Sequence, residues 1–169
     1  TPPGFFSSIG QSEPTPCAIG TFASQSGSAS CSSCPHGTHS SSSGALACTT
    51  CEPGHWCSAD TQIECSADTY TPHPGGHDPT NCTYCPRRTT TRRQAGAISV
   101  DACSCSTDFY RAPEWMDVAS RDECLDRCCT CPIGSDCTDE DMLPIILADL
   151  PVLPGYYRLN EQQIDVRRC

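Results

Sequence analysis

The chain has 169 residues with 17 cysteines, ten arginines, no lysine and a formal net charge of −10. Cysteine at about a tenth of the chain marks a disulfide scaffold in an oxidising space, and an acidic balance without a basic face excludes a nucleic-acid partner. Phe, Trp, Met and Tyr total only thirteen, and leucine and isoleucine cluster between Leu143 and Leu159, so the first 140 residues cannot build a sizeable core and covalent bridges must replace burial.

The opening residues TPPGFFSS follow a phrase that recurs down the chain: Cys, two residues, Gly or Asp, one residue, then often an aromatic. It stands at Cys17 (Gly20, Phe22), Cys34 (Gly37, His39), Cys51 (Gly54, Trp56), Cys65 (Asp68, Tyr70) and Cys105 (Asp108, Tyr110). Weaker copies start at Cys85 (Arg88, Thr90) and Cys131 (Gly134, Asp136), while Thr1 holds the cysteine's place in the opening copy, so the array is expected to begin before residue 1. Alternation of Gly and Asp at one position implies a tight turn with positive φ, which both tolerate better than other residues. The aromatic is expected to lie over a neighbouring disulfide. Each copy is too small to bury a core alone, so the copies are expected to stack end to end into a rod.

Cys17 to Cys31, Cys34 to Cys48 and Cys51 to Cys65 each enclose thirteen residues, and Cys65 to Cys82, Cys85 to Cys103 and Cys105 to Cys124 enclose sixteen to eighteen. Nearest-neighbour pairing is favoured for 17 with 31, 34 with 48, 85 with 103 and 105 with 124. Cys51, Cys57, Cys65 and Cys82 can pair in more than one sensible way, since spacing alone does not settle connectivity. In the chain-entropy account, a bridge closing about 15 residues contributes about 3 kcal/mol. After Cys124 the rhythm changes: Cys124, Cys128, Cys129, Cys131 and Cys137 crowd together, Cys131 to Cys137 repeats the Cys51 to Cys57 spacing, and Cys169 is left as the odd cysteine. The expected organisation is the end of a preceding repeat at 1–16, cysteine-rich repeats at 17–65, divergent repeats at 66–124, and a C-terminal cysteine-rich module with an apolar, proline-rich extended tract at 125–169. The fold class is small and disulfide-rich: an elongated tandem array of short modules, made of short β-hairpins and turns with little other regular structure.

The phrase, the serine-rich loops and the C-x2-C junctions together resemble the cysteine-rich repeats of tumour necrosis factor receptors and the ephrin-receptor-like (growth-factor-receptor-type) modules of large extracellular proteins. The resemblance covers roughly residues 1–137. The segment LPVLPGYYR followed by DVRRC resembles the end of such repeats in surface proteins of unicellular eukaryotes. It implies an extracellular or cell-surface location, and a role as receptor or as spacer. The chain departs from the receptor units at Cys85 and Cys128–Cys129.

Cys31-x2-Cys34 with Cys48-x2-Cys51 has near zinc-ribbon spacing, but the remaining cysteines do not fall into fours, so disulfides are favoured and no metal or cofactor is expected. His73 and His77 read as a solvated turn. Asp136, Asp139, Glu140 and Asp141 lack the spacing of a calcium loop. No nucleophile phrase or phosphate-cradling loop is present, so no enzyme is expected. The run from Met142 to Pro154 is too short to span a membrane and is broken by Pro144, Pro151 and Pro154, so a membrane would be reached only through parts absent from this chain. The chain also lacks an initiator Met and a signal peptide, as a mature piece of something larger would.

Asn81-Cys82-Thr83 is a glycosylation sequon, with Cys82 at its centre as the weak point. Serine and threonine supply nineteen of the first fifty residues, and Ser24, Ser26, Ser28, Ser40, Ser41 and Ser42 are candidates for O-linked sugar, against plain solvation of tight loops. The cluster Arg87, Arg88, Arg92 and Arg93 could grip an acidic glycan or a neighbour's carboxylates, though solvation is the commoner fate. The late tract forbids a regular helix through its prolines. It is either a local core or an assembly surface made by Ile145, Ile146, Leu147, Leu150, Leu153, Tyr156 and Tyr157. The sequence points to a non-enzymatic extracellular structural protein that self-associates into a filament or coat, such as a flagellar-hair-like fibre, and carries covalent glycans. The alternative is a ligand-binding segment of a receptor ectodomain.

Overall fold

The computed structural model describes residues 1–117, 119, 123–125, 127–138, 145–162 and 164–169. Each phrase begins with a four-residue turn in which the fourth N–H returns to the first carbonyl: Thr21 to Ala18, Thr38 to Pro35, Thr69 to Ser66, Thr89 to Pro86 and Ser135 to Pro132. The third residue of each turn has positive φ, as the expected tight turn requires. The side-chain hydroxyl of the fourth residue donates to the same carbonyl at 2.7 Å in all five. That doubled bond explains the recurring Thr after the glycine. At Arg88, the guanidinium donates to the Glu123 and Cys128 carbonyls and lies 5.0 Å over the Phe109 ring. These contacts offset the strain of its φ of 67°.

A short antiparallel hairpin follows the first four of these turns, while Ser135 makes an isolated antiparallel bridge to Val152. In the first compact unit, Thr1–Tyr84 with Gln94–Val100, β1 (Phe5–Phe6) pairs with β2 (Thr15–Pro16), β3 (Thr21–Phe22) with β4 (Ser32–Ser33) and β5 (Thr38–His39) with β6 (Thr49–Thr50). Next, β7 (His55–Cys57) pairs with β8 (Gln62–Glu64), and β9 (Thr69–Tyr70) with β10 (Thr83–Tyr84). In the second unit, Cys85–Arg93 with Asp101–Cys169, β11 (Thr89–Thr90) pairs with β12 (Ser104–Cys105). There β13 (Phe109–Arg111), β14 (Cys124–Leu125) and β15 (Cys128–Thr130) form a sheet in the order β13-β15-β14, and β16 (Tyr156–Arg158) pairs with β17 (Val166–Arg168). The only helical turns among the described residues are 3-10, at Pro79–Asn81 and Val100–Ala102. The two units divide within the expected 66–124 segment.

Strands of two or three residues cannot hold one another through side-chain burial, and successive modules of the first unit are instead wired through the backbone. The turn glycine donates to the residue just past the next module's aromatic, Gly4 to Ala23, Gly20 to Ser40 and Gly54 to Thr71. Each of those residues donates onward to the following loop, Ala23 to Ala45, Ser40 to Ala59 and Thr71 to Ala97. Loop glycines reach back to an opening residue: Gly27 to Thr1, Gly44 to Cys17, Gly75 to Cys51 and Gly96 to Cys65. Thr1 therefore occupies a cysteine's place in the wiring as well as in the phrase. Ala23, Ser40 and Thr71 are buried because the ladder runs through them. The crossing at Gly75 also brings His36 and His77 edge to face, with ring centroids 5.7 Å apart.

Sixteen cysteines pair as 17–31, 34–48, 51–57, 65–82, 85–103, 105–128, 124–129 and 131–137. The open set resolves as 51–57 and 65–82, and the expected pairing of Cys105 with Cys124 is corrected to Cys105 with Cys128. The strand register gives the reason. Cys124 faces Cys129 across β14 and β15, and neighbours on a strand point to opposite faces, so Cys128 is turned away from Cys124 and bridges to Cys105. The expected contact of an aromatic-position ring with a neighbouring disulfide is seen at His39, whose Nδ1 lies 3.4 Å from Cys57 Sγ.

The second unit has an apolar core of Tyr110, Ala112, Met116, Cys129, Cys137, Ile145, Leu147 and Leu150. It repeats the backbone wiring, with Asp108 N–H on the Cys137 carbonyl and Arg111 N–H on the Ile145 carbonyl. The late tract thus supplies the loop that Ala45 supplies in the first unit, with larger side chains turned inward.

Candidate functional site

The serine loops face water in part. Ser24, Ser26, Ser41 and Ser42 are exposed, and Ser28 is half-buried with its hydroxyl donating to Gln25 O at 2.8 Å. Ser40 is a correction. It is 7% exposed, its hydroxyl donates to Ser42 O at 3.0 Å, and its backbone is part of the ladder, so it offers no open hydroxyl for a sugar.

Asn81 ends the Pro79–Asn81 turn, which Asp78 caps. The Asn81 Oδ1 accepts from the backbone N–H of His77 at 2.8 Å and of Asp78 at 3.0 Å, while Thr80 N–H donates to Asp78 Oδ1 at 2.9 Å. The bonds from Thr80 hold the Asp78 carboxyl below its ordinary pKa. The central Cys82 of the sequon is bridged to Cys65. Beside the sequon, β7–β8 and β9–β10 enclose a groove of about 700 Å³, whose walls include Trp56, Ile63, Thr69 and Tyr84. Trp56 is paired with Ile63, and Tyr84 with Thr69.

Arg88 is committed to the interior contacts described above, and Arg92 donates through Nε to Ser104 Oγ at 3.0 Å, so this cluster is not an array of free cations. Asp136 Oδ1 accepts from Thr138 N at 2.9 Å and Thr138 Oγ1 at 2.7 Å. Those bonds lower the Asp136 pKa. Asp139, Glu140 and Asp141 lie outside the described residues, as do Met142, Leu143 and Pro144. Among the described residues, no group of three His, Cys, Asp or Glu side chains is placed to hold a metal ion.

The assembly candidates divide. Ile145, Leu147 and Leu150 are buried in the second unit's core, so the local-core alternative holds for these three and their candidacy for an assembly surface is corrected. Burial of their apolar surface is worth more to the module than an open face could be. Ile146, Leu153 and Tyr157 remain exposed at 41% each, as does Leu159 at 59%. Tyr156 is half-buried with its ring against Gly134, in the space a side chain there would fill. Cys169 is free and exposed, and its N–H bonds to Gly155 O, as Cys17 N–H bonds to Gly4 O.

Sequence reasoning missed Trp115. It is 66% exposed, outside the repeated phrase, and it lines one groove with Ile146 and Glu161 and a second with Leu159 and Ile164. The available signal was that it is one of only two tryptophans in the chain.

The geometry of turn, hairpin and bridge can be set beside known proteins. The family model described as tyrosine-protein kinase ephrin type A/B receptor-like matches residues 4–51. This segment is thus similar to ephrin-receptor-like cysteine-rich modules. No curated protein matches the chain. The matched segment holds the first crossing, from Gly4 across Cys17 to Gly44, and the same wiring repeats from Gly54 across Cys65 to Gly96. The same backbone wiring thus continues past the matched residues.

Proposed function

We propose that this protein is a non-enzymatic extracellular structural element whose ephrin-receptor-like modules make length and stiffness, and which self-associates into a surface filament or coat carrying covalent glycans. The observation that carries this is the backbone ladder of the first unit, in which each module is bonded to the next and its turn glycine approaches the one after. Such a stack resists bending without an apolar core. The bridges require an oxidising compartment, which fits a secreted or surface-borne chain, and no helix among the described residues is long and apolar enough to cross a membrane. Ile146, Leu153, Tyr157 and Leu159 are the exposed residues suited to a contact between copies. Electron microscopy of the native, unreduced protein tests this. Regular filaments that disperse when Leu153 and Tyr157 are both changed to Asp would support it, and monodisperse single copies at every concentration would refute it.

A second reading, a ligand-binding segment of a receptor ectodomain, is favoured by Trp115. An exposed tryptophan outside the repeat is the kind of anchor a protein interface uses. Isolated copies that capture a second protein through Trp115 would support that reading.

A further inference from the structure

The groove between β7–β8 and β9–β10 is lined by the apolar side chains of Trp56, Ile63 and Tyr84 together with Glu64, Thr80 and Thr83. Tyr84 is 80% exposed, a large aromatic face left open in a well-braced hairpin. Its volume of about 700 Å³ is that of a small-ligand site. Two aromatic faces with hydroxyl and carboxylate groups around them suit the alternating C–H and O–H faces of a sugar ring. The only charged lining residue is Glu64, which disfavours an anionic ligand.

A second observation says which sugar. Thr80, Cys82 and Thr83 all line this groove, so the chain neighbours of Asn81 on both sides stand at it, although Asn81 itself is not a lining residue. The turn cap uses only the Oδ1 of Asn81, and among the described residues its Nδ2 has no hydrogen-bond partner. N-glycosylation consumes Nδ2 and leaves the Oδ1 carbonyl, so cap and modification are compatible. We propose that Asn81 carries an N-linked glycan whose first sugars lie in the Trp56–Tyr84 groove of the same chain. This rests on the glycosylated surface proposed above and assigns its site and its bed. In the transfer, the Asn81 Nδ2 forms a bond to the anomeric carbon of a lipid-diphosphate-linked oligosaccharide. The carbon–oxygen bond to the diphosphate breaks, the lipid diphosphate leaves with the electron pair, and a base takes the Nδ2 proton.

The test uses the full chain secreted from a glycosylating eukaryotic host, dispersed to single copies, with the wild type compared to Thr83→Ala and Tyr84→Ala. Thr83→Ala removes the sequon and keeps the Asn81 cap. The expected result is a glycan mass on the Asn81 peptide, removed by peptide-N-glycosidase and absent in Thr83→Ala. In isotope-labelled glycan, the sugar proton resonances are expected to shift upfield by ring currents and return to free-glycan positions in Tyr84→Ala, with the glycan mass retained. An unmodified Asn81 in the secreted wild type would overturn the proposal, as would a modified Asn81 whose sugar resonances match free glycan. Both readouts are taken on single copies, so a failure to form filaments changes neither.

Discussion

Gly54 and Gly37 show why one position of the phrase tolerates Asp or Arg in some modules and only glycine in others. Both have positive φ, and a Cβ on either would run into a backbone carbonyl, that of Gly96 or of Gly75. A side chain in left-handed backbone costs about 1–2 kcal/mol, and here the clash with the carbonyl adds to it. Gly27 shares the φ but has nothing within 4 Å of its would-be Cβ. We expect Gly54→Ala to destabilise by more than Gly27→Ala, the latter by about 1 kcal/mol, in denaturant titrations without reductant. Equal effects would refute the role of the crossing. Asp68 and Asp108 already hold side chains in left-handed backbone, so the Gly/Asp alternation made the turn legible in the sequence. The overhead carbonyl was not legible, because it arrives from a loop about 40 residues away. Asp78 supports a pH expectation. Its folded pKa lies below the ordinary carboxylate value through the Thr80 bonds, so its contribution is complete above that ordinary value and is lost as pH falls through the depressed one. Hydrogen exchange at the Thr80 amide should quicken only below the ordinary carboxylate range, and exchange that quickens between neutral pH and that range would show that another group governs the cap.

Hairpins and bridges are interdependent, since strands this short need a covalent clasp to persist. Two modules close differently: Cys51–Cys57 and Cys131–Cys137 each span six residues and leave the far end of the loop unclasped. In the first, Cys65 N–H still bonds Gly54 O, so the hairpin survives on backbone bonds. In the chain-entropy account, a loop of about six residues contributes about 2 kcal/mol and one of about 23 contributes about 3.5. Removing Cys105–Cys128, with a separation of 23, by double alanine substitution should therefore lower stability more than removing Cys51–Cys57. Denaturant midpoints of the two variants give the order directly. The equal spacing of early cysteines made 17–31 and 34–48 readable in the sequence, and nearest-neighbour order made 85–103 so. Counting residues misassigned Cys124, because the β14–β15 pairing, a tertiary fact, set which sulfur faced which.

For the whole molecule, the balance between covalent and apolar stabilisation differs between the two units. The first contributes Cys17, Cys51, Cys57 and Cys65 with little besides Ala23 to the buried apolar set, whereas the second adds Tyr110, Met116, Ile145, Leu147 and Leu150. Full reduction should expand the chain, raising its hydrodynamic radius in light scattering and removing most of its β-type circular dichroism. An unchanged radius would refute the disulfide framework as the basis of the fold. After reduction, residual protection from hydrogen exchange is expected only in the second unit, around Tyr110 and Ile145, where apolar burial outlasts the bridges.

The repeated phrase determined the turns, their positive φ and most of the hairpins after them, because those depend on residues within a few positions of one another. Cysteine density and the scarcity of apolar residues settled the disulfide class, since without burial only covalent closure can offset chain entropy. Tertiary structure alone decided the partner of Cys105, the burial of Ser40, the inward turn of Ile145, Leu147 and Leu150, and the open faces of Tyr84 and Trp115. Each of these depends on which distant loop crosses a given module, and spacing along the chain carries no record of that.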